Sequence, residues 1–241
     1  MRKIHVVLHK EALEGSRHAE ACAIVLDIIF ASSSITAALD AGARRILPAL
    51  DFAEAQQISA RLPEGQWVIA GEKNADPFPG CLSYDPLALS GAQVRGRDVV
   101  YATSNGTVAL RRAAFFSQVY AASLRNGRAV AHHVIKHTES EDIVLICSGS
   151  LGRFSLEDFY GAGYLIQCLQ EASNHAFICS DAALAAEMVW NDRTPRDVIR
   201  AARLGQLMLE RGMAASLDYV SQLDCSTVVP QFIDGEVRDI G

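Results

Sequence analysis

The sequence predicts an α/β fold: a single compact domain over residues 1–241, with a parallel or mixed central sheet flanked by helices. Three observations carry that expectation. Short apolar runs at residues 23–26, 67–70 and 143–147 have the composition of strands covered on both faces. Helix-spaced segments alternate with these runs over most of the length, the pattern of strands joined by crossover helices. No low-complexity linker and no internal repeat divides the chain.

Taken in order, residues 4–8 read as a first strand and residues 10–20 as a polar loop. The run at 23–26 is a buried strand interrupted by Asp27. Ser32, Ser33 and Ser34 follow, then a helix to residue 41 with Gly42 as its C-cap. Residues 45–47 form a short strand ending at Pro48. Asp51 with Glu54 three residues on is a capping-box pattern, opening a helix to about residue 62. Residues 67–70 are a strand running into Gly71-Glu72-Lys73. Residues 74–84, rich in Pro and Gly, are an irregular loop, and 86–90 a helical turn. Residues 98–102 are a strand, 108–115 a helix and 118–122 another strand. A helix runs from Asn126-Gly127 to about 137, and residues 143–147 are a strongly apolar strand. Helices are expected to about 172, over 180–190 and over 195–211. Residues 218–222, 227–232 and 235–238 read as short extended pieces.

Half of the residues are hydrophobic and 21% are charged, enough for a sizeable core. A net charge of -6 with scattered basic residues argues against a nucleic-acid binder, which needs clustered Lys and Arg. The six cysteines show no CxxC or zinc spacing. The start, MRKIHVVLHK, turns charged too early for a signal peptide, and no apolar run approaches the roughly 18 residues of a membrane span. The expectation is a reduced, cytoplasmic protein with no membrane or nucleic-acid partner. A homo-oligomer is compatible with the sequence.

The unusual residues gather at strand ends. Asp27 closes one strand, and an unpaired buried carboxylate costs several kcal/mol, roughly, so it is expected to be paired, metal-bound or exposed. Beyond it a serine-rich turn leads to a helix N-terminus, where anions are favoured. Phosphate with Mg²⁺ and an ordinary βα-turn both fit. Glu72 lies past a second strand, Thr103 to Thr107 past a third, and Ser148 to Asp158 past a fourth. Ligands of open α/β sheets bind outside such strand ends, and carboxylates there supply hard oxygen ligands of the kind Mg²⁺ takes. The loop from Gly149 to Gly152 precedes a helix and has the glycines to cradle an anion, or simply to turn the chain. Ser155 fits an N-cap, which makes capping alone a sufficient role for Asp158. Cys147 ends a core strand and reads as a buried structural thiol. No dinucleotide or phosphate-loop fingerprint is present.

Together the stretches Asp27-Ile28-Ile29-Phe30-Ala31-Ser32-Ser33, Gly71-Glu72-Lys73, Thr103-Ser104-Asn105-Gly106-Thr107, Arg125-Asn126-Gly127-Arg128-Ala129-Val130-Ala131 and Gly152-Arg153-Phe154-Ser155-Leu156-Glu157-Asp158 resemble the 2-phosphosulfolactate phosphatase family, the ComB-like proteins. Val229-Pro230-Gln231 extends the likeness to the C-terminal end. The resemblance implies a Mg²⁺-dependent hydrolase of a small anionic 2-phospho-acid such as 2-phosphosulfolactate. It implies Asp27, Glu72 and Asp158 as catalytic, metal-binding acids. Asn105, Gly106, Thr107 and Asn126 are then the substrate-binding residues, with Ser32, Ser33, Gly149 and Gly152. Three positions depart from the family pattern: Phe30 and Lys73 stand where arginine is usual, and Tyr84-Asp85 replaces Asn-Ser before Pro86 in a shortened loop. An arginine fork suits a phosphate or sulfonate as no neutral ring can. The alternative these departures raise is a non-catalytic member that binds a small anion or a protein partner through the same pocket.

Overall fold

A computed structural model of the protein describes residues 2–13, 19–138 and 142–241; of the polar loop expected at 10–20, residues 14–18 lie outside the described residues. Among the described residues eleven strands form one mixed sheet with ten α-helices, the α/β fold expected. Five strands make one parallel block. In spatial order they are β7 (Gln118–Ala122), β2 (Cys22–Leu26), β8 (Ile143–Cys147), β1 (Lys3–Val7) and β9 (Ile178–Cys179). A second parallel block holds β4 (Trp67–Lys73), β6 (Asp98–Ala102) and β3 (Arg45–Ala49), with β5 (Asp76–Pro77) antiparallel on its outer edge. Between the blocks lies a C-terminal hairpin of β10 (Pro230–Ile233) and β11 (Glu236–Asp239), antiparallel to β7 on one side and to β3 on the other.

Three antiparallel pairings separate β3 from β7, so the two blocks run in opposite directions along the sheet. In a flat sheet their carboxyl ends would lie on opposite edges. The sheet is not flat: five steps from β6 to β2, at the usual twist of about 20–25° each, turn the strands by about 100–125°. The sheet thereby wraps around helix α1 (Ala31–Asp40), whose residues from Ala31 to Leu39 are all buried. The ends of β2 and β6 meet, with Gly106 set directly against Asp27. Strands β2, β6 and β8 are buried along their whole length, as apolar runs without alternation require.

Helix α2 (Phe52–Ser59) starts at the expected cap, with Asp51 accepting from the Glu54 amide at 2.8 Å. Helix α3 (Pro86–Leu89) is a single turn packed on α1, and α4 (Gly106–Arg112) and α5 (Gly127–His137) follow their strands directly. The long α6 (Leu156–Ala172) packs on α5 and on α7 (Asp181–Asp192).

Two expectations in the last quarter are corrected. Residues 195–211 are two helices, α8 (Pro195–Ala201) and α9 (Arg203–Glu210). Ala202 between them is extended, with φ -58° and ψ 146°. The chain folds back so tightly there that a Cβ at Gly205 would lie 1.8 Å from the Ile199 carbonyl oxygen, while the apolar spacing runs through the break unchanged. Residues 218–222, expected to be extended, belong mostly to helix α10 (Ala214–Val220), which packs on α3, α8 and α9. Among the described residues no helix is long and apolar enough to cross a membrane.

Candidate active site

The turn after β2 is held by its own serines. Ser32 Oγ donates to the Asp27 carbonyl at 2.9 Å and accepts from the Asp27 amide at 3.1 Å. Ser33 Oγ donates to the Ile28 carbonyl at 2.6 Å, and Ser34 Oγ reaches the Tyr84 carbonyl at 2.7 Å. Ser32 and Ser33 bond backbone of the turn itself, and Ser34 ties it to the loop at Tyr84. Ser32 and Ser33 are thus buried in the turn, and neither lines the pocket beside it. Their combined effect is to point the Asp27 carboxylate inward.

Asp158, in the first turn of α6, bridges two strand ends. Its Oδ1 accepts from the Ile28 amide at 2.9 Å and its Oδ2 from the Gly149 amide at 3.1 Å, tying the end of β2 to the loop after β8. Glu72, near the end of β4, does the same for the other block. It accepts from the Ala75 amide and the Ser104 amide, both at 2.6 Å, and from Ser104 Oγ at 3.2 Å. Asn74 and Ala75 have φ of 55° and 66°, a left-handed pair that costs of the order of 1–3 kcal/mol per residue and that Glu72 helps to hold.

These acids open onto one cavity of about 70 Å³. On the same measure one water needs roughly 10–15 Å³, so the space suits several waters or the head of a small anion. Asp27, Glu72, Glu157 and Asp158 line it, with Asn105, Ser104 and Gly149. Phe30, Leu204 and Leu207 form an apolar wall, and Arg203 is the cation in the lining. Burial, with repulsion from Glu72 and Glu157, pushes the Asp27 carboxyl up to about 7. Burial and repulsion from Asp27 and Glu157 raise Asp158 well above the usual carboxylate range, and burial raises Glu157 against the pull of Ser155 and Arg203. The Cys147 thiol is also pushed far up by burial, in keeping with a structural role.

Five of the residues picked from sequence line this cavity: Asp27, Glu72, Asn105, Gly149 and Asp158. The others lie elsewhere, each for a visible reason. Gly106 packs beneath Asp27, where a Cβ would come within 2.5 Å of Oδ2. Thr107 closes a loop with Thr103, donating to its carbonyl at 3.1 Å. Asn126 is wholly buried, accepting from the Ser123 amide and donating to the Val228 carbonyl, so it pins the C-terminal tail. The glycine loop does not present a cradle of free amides. Gly149 N–H goes to Asp158, Ser150 and Arg153 bond each other, and Leu151 N–H points to Asn105. Gly149 and Gly152, at φ 68° and 71°, make the turn possible.

Sequence reasoning missed Glu157, Arg203 and Lys10. Glu157 was in plain view beside Asp158; its burial at 4% exposure was the hidden fact. Arg203 comes from α9, with no local signal to link it to the strand ends. Lys10 sits behind the pocket with its Nζ 2.8 Å from Asn105 Oδ1.

Among the described residues no three His, Cys, Asp or Glu side chains close around a single point as a ready metal cage. Mg²⁺ does not need one, since it is commonly held by one or two carboxylates plus water and substrate phosphate. Four acids share a buried pocket, and at least two are raised by one another's charge. That excess of negative charge fits a hard cation. All four already accept hydrogen bonds: Glu72 and Asp158 with both oxygens, Asp27 from the Phe30 amide at 3.3 Å and the Ala31 amide, and Glu157 from Ser155.

Comparison with known proteins points one way. A family model described as 2-phosphosulpholactate phosphatase matches residues 7–235. A protein of Clostridium tetani called "Probable 2-phosphosulfolactate phosphatase" is 28% identical over 236 residues, covering 98% of this chain and 99% of its own. Proteins of the same description from Symbiobacterium thermophilum and Deinococcus radiodurans are 33% and 31% identical, over 89% of this chain and 92% and 88% of theirs.

Proposed function

The chain belongs to the 2-phosphosulpholactate phosphatase family and is on that ground a phosphoric monoester hydrolase; we propose that it uses Mg²⁺ to hydrolyse a small 2-phospho-acid such as 2-phosphosulfolactate. The observation that supports this most is the set of buried carboxylates around one small cavity, centred on Asp27.

In this reading Asp27 and Glu157 hold the cation, with Glu72 and Asp158 adding negative charge around it. Mg²⁺ supplies charge neutralisation to a phosphoryl group that four carboxylates would otherwise repel. The chain does the positioning. Asn105 reads an oxygen of the anion, and Arg203 at the mouth meets a second anionic group. Phe30, Leu204 and Leu207 form a dry wall that strengthens these contacts. Without a cation the Asp27 carboxyl is held near neutrality, so a cation bound there would displace its proton. Phe30 stands where an arginine fork would bind a sulfonate, so a phosphorylated hydroxy acid without that group is the preferred substrate.

The test is phosphate release from a panel of 2-phospho-acids, phosphosulfolactate and phospholactate included, with Mg²⁺ and with chelator. Release that chelator stops and Asp27→Ala abolishes is the expected result. Release unaffected by either treatment would overturn the assignment.

A further inference from the structure

Asn105 is the N-cap of α4, yet its side chain makes no capping bond. An asparagine in that place normally turns its carbonyl oxygen to the amides of the first turn. Here Oδ1 faces the other way, accepting from Lys10 Nζ at 2.8 Å and from the Leu151 amide at 3.4 Å. Both partners are donors only. An amide has one acceptor end and one donor end, so this pair fixes which is which. Nδ2 is left as the free end, without a partner among the described residues, on a side chain that lines the pocket.

Lys10 itself is 4% exposed. Its ammonium has three hydrogens and three acceptors: Asn105 Oδ1 at 2.8 Å, the Ser148 carbonyl at 3.3 Å and Glu11 Oε1 at 3.0 Å. It has no donor left for a ligand. It also joins the end of β8 to the start of α4, which belong to opposite blocks of the sheet.

We propose that Lys10 is a positioning residue that holds the Asn105 amide with its NH₂ directed into the pocket, so that Asn105 selects an oxyanion, a phosphoryl or carboxylate oxygen that can only accept. This rests on the reading of the pocket as the substrate site, and it assigns to Lys10 an effect on affinity transmitted through one neighbour. Without Lys10 the amide is free to rotate and present its own oxygen, which an anion rejects.

Binding of inorganic phosphate, by calorimetry at fixed Mg²⁺, tests this without relying on turnover; KM and kcat on the best phospho-acid are the second readout. Lys10→Met and Asn105→Ala are each expected to weaken phosphate by about tenfold, the weight of one hydrogen bond to a charged group. KM should rise alike with kcat within about threefold. The double variant should bind no worse than either single one, because both remove the same contact. Losses that multiply in the double variant would show that Lys10 acts by its charge or by folding, and would overturn the proposal. Asn105→Asp covers the case in which Lys10→Met does not fold: it keeps the acceptor for Lys10 and Leu151 and puts an acceptor oxygen with a negative charge where the NH₂ was. Wild-type phosphate affinity in that variant would also overturn the proposal. If no phospho-acid is hydrolysed but phosphate binding follows this pattern, the hydrolase reading fails and the role of Lys10 stands.

Discussion

Replacing Asp27 with asparagine should abolish activity and at the same time make the metal-free protein more stable. The carboxyl is pushed up to about 7 by burial and by the neighbouring acids. An acid whose value is raised in the folded state binds its proton more tightly there than in the unfolded chain. Its ionisation therefore weakens the fold progressively as pH rises from near 4 to about 7, and the full penalty is present above that. The span corresponds to about 4 kcal/mol at about pH 8, and to about 2 kcal/mol at about pH 5.5, where the folded-state carboxyl is still protonated. Asparagine carries no charge to desolvate. For a chain of this size 1 kcal/mol moves the melting temperature by about 2–4 °C. Part of the gain is offset by seating a new NH₂ among the neighbours, so Asp27→Asn should melt at least about 5 °C above wild type at pH 8, with a clearly smaller gain at pH 5.5. Mg²⁺ should raise the melting temperature of wild type and leave the variant unmoved, since a ligand stabilises only the state it binds. Thermal melts at the two pH values, with Mg²⁺ and with chelator, decide the matter. A variant that melts below wild type, or whose shift is equal at both pH values, would refute the electrostatic reasoning.

Other substitutions separate structural acids from reactive ones. Asp158→Asn also removes a raised carboxyl, but both of its oxygens accept from amides tying two loops together, and an NH₂ would face one of those donors at a cost of about 1–3 kcal/mol. Its melting temperature at pH 8 should rise by less than loss of the charge alone would give, and a full gain with no such offset would contradict this. Gly106→Ala puts a methyl within 2.2 Å of the Ala31 Cβ and 2.5 Å of Asp27 Oδ2. Displacing the acid should lower kcat by about a hundredfold, and wild-type turnover would refute the packing. Asp98 is fully buried against Arg44 and Arg45; burial would raise its carboxyl, but the two guanidiniums hold it below the ordinary value. It therefore stabilises the fold above its unfolded value, and the effect is lost as pH falls through the lower folded one. Asp98→Asn should cost about 2–3 kcal/mol at neutral pH, since Arg44 is half exposed, and the gap to wild type should close in acid melts.

The layered fold was legible because burial on both faces leaves a plain mark, an apolar run such as residues 143–147 with no polar alternation. The helix start at Asp51 was legible for a similar reason, since capping is local chemistry. The break at Ala202 was not. The apolar residues on either side keep helical spacing, and only the close approach of Gly205 to Ile199 ends the helix. The site followed the same division. Asp27, Glu72 and Asp158, expected together from their places after strands, do line one cavity, and all three also accept from backbone amides. Ser32 and Ser33 had the right chemistry for an anion and were claimed by the turn itself. Lys10 and Arg203 carried no signal at all, because what brings them to the pocket is the wrapping of the sheet and the fold-back of α9.

The departures from the family pattern are better understood as a pair than one by one. Phe30 and Tyr84, distant in sequence, meet edge to face with ring centroids 4.7 Å apart. The Tyr84 hydroxyl donates to the Ala75 carbonyl at 2.8 Å, and its own carbonyl accepts from Ser34 Oγ and from the Tyr101 hydroxyl at 2.9 Å. Arg211, on the far side of α9, reaches the same Ala75 carbonyl. The shortened loop thus places a ring where Phe30 can pack, and both rings brace the left-handed turn that Glu72 caps. An arginine at position 30 would bring its charge into this apolar contact, and the loop would have to move to admit it. Replacing the arginine that the resemblance implies by this aromatic contact therefore involves two segments at once. The aromatic contact bears on the apolar wall of the pocket and leaves its acids in place. A protein losing catalysis has no physical need to keep four buried, mutually repelling carboxylates while rebuilding the opposite wall with matched rings. The pairing therefore supports the proposed reading, a hydrolase acting on a 2-phospho-acid without the sulfonate.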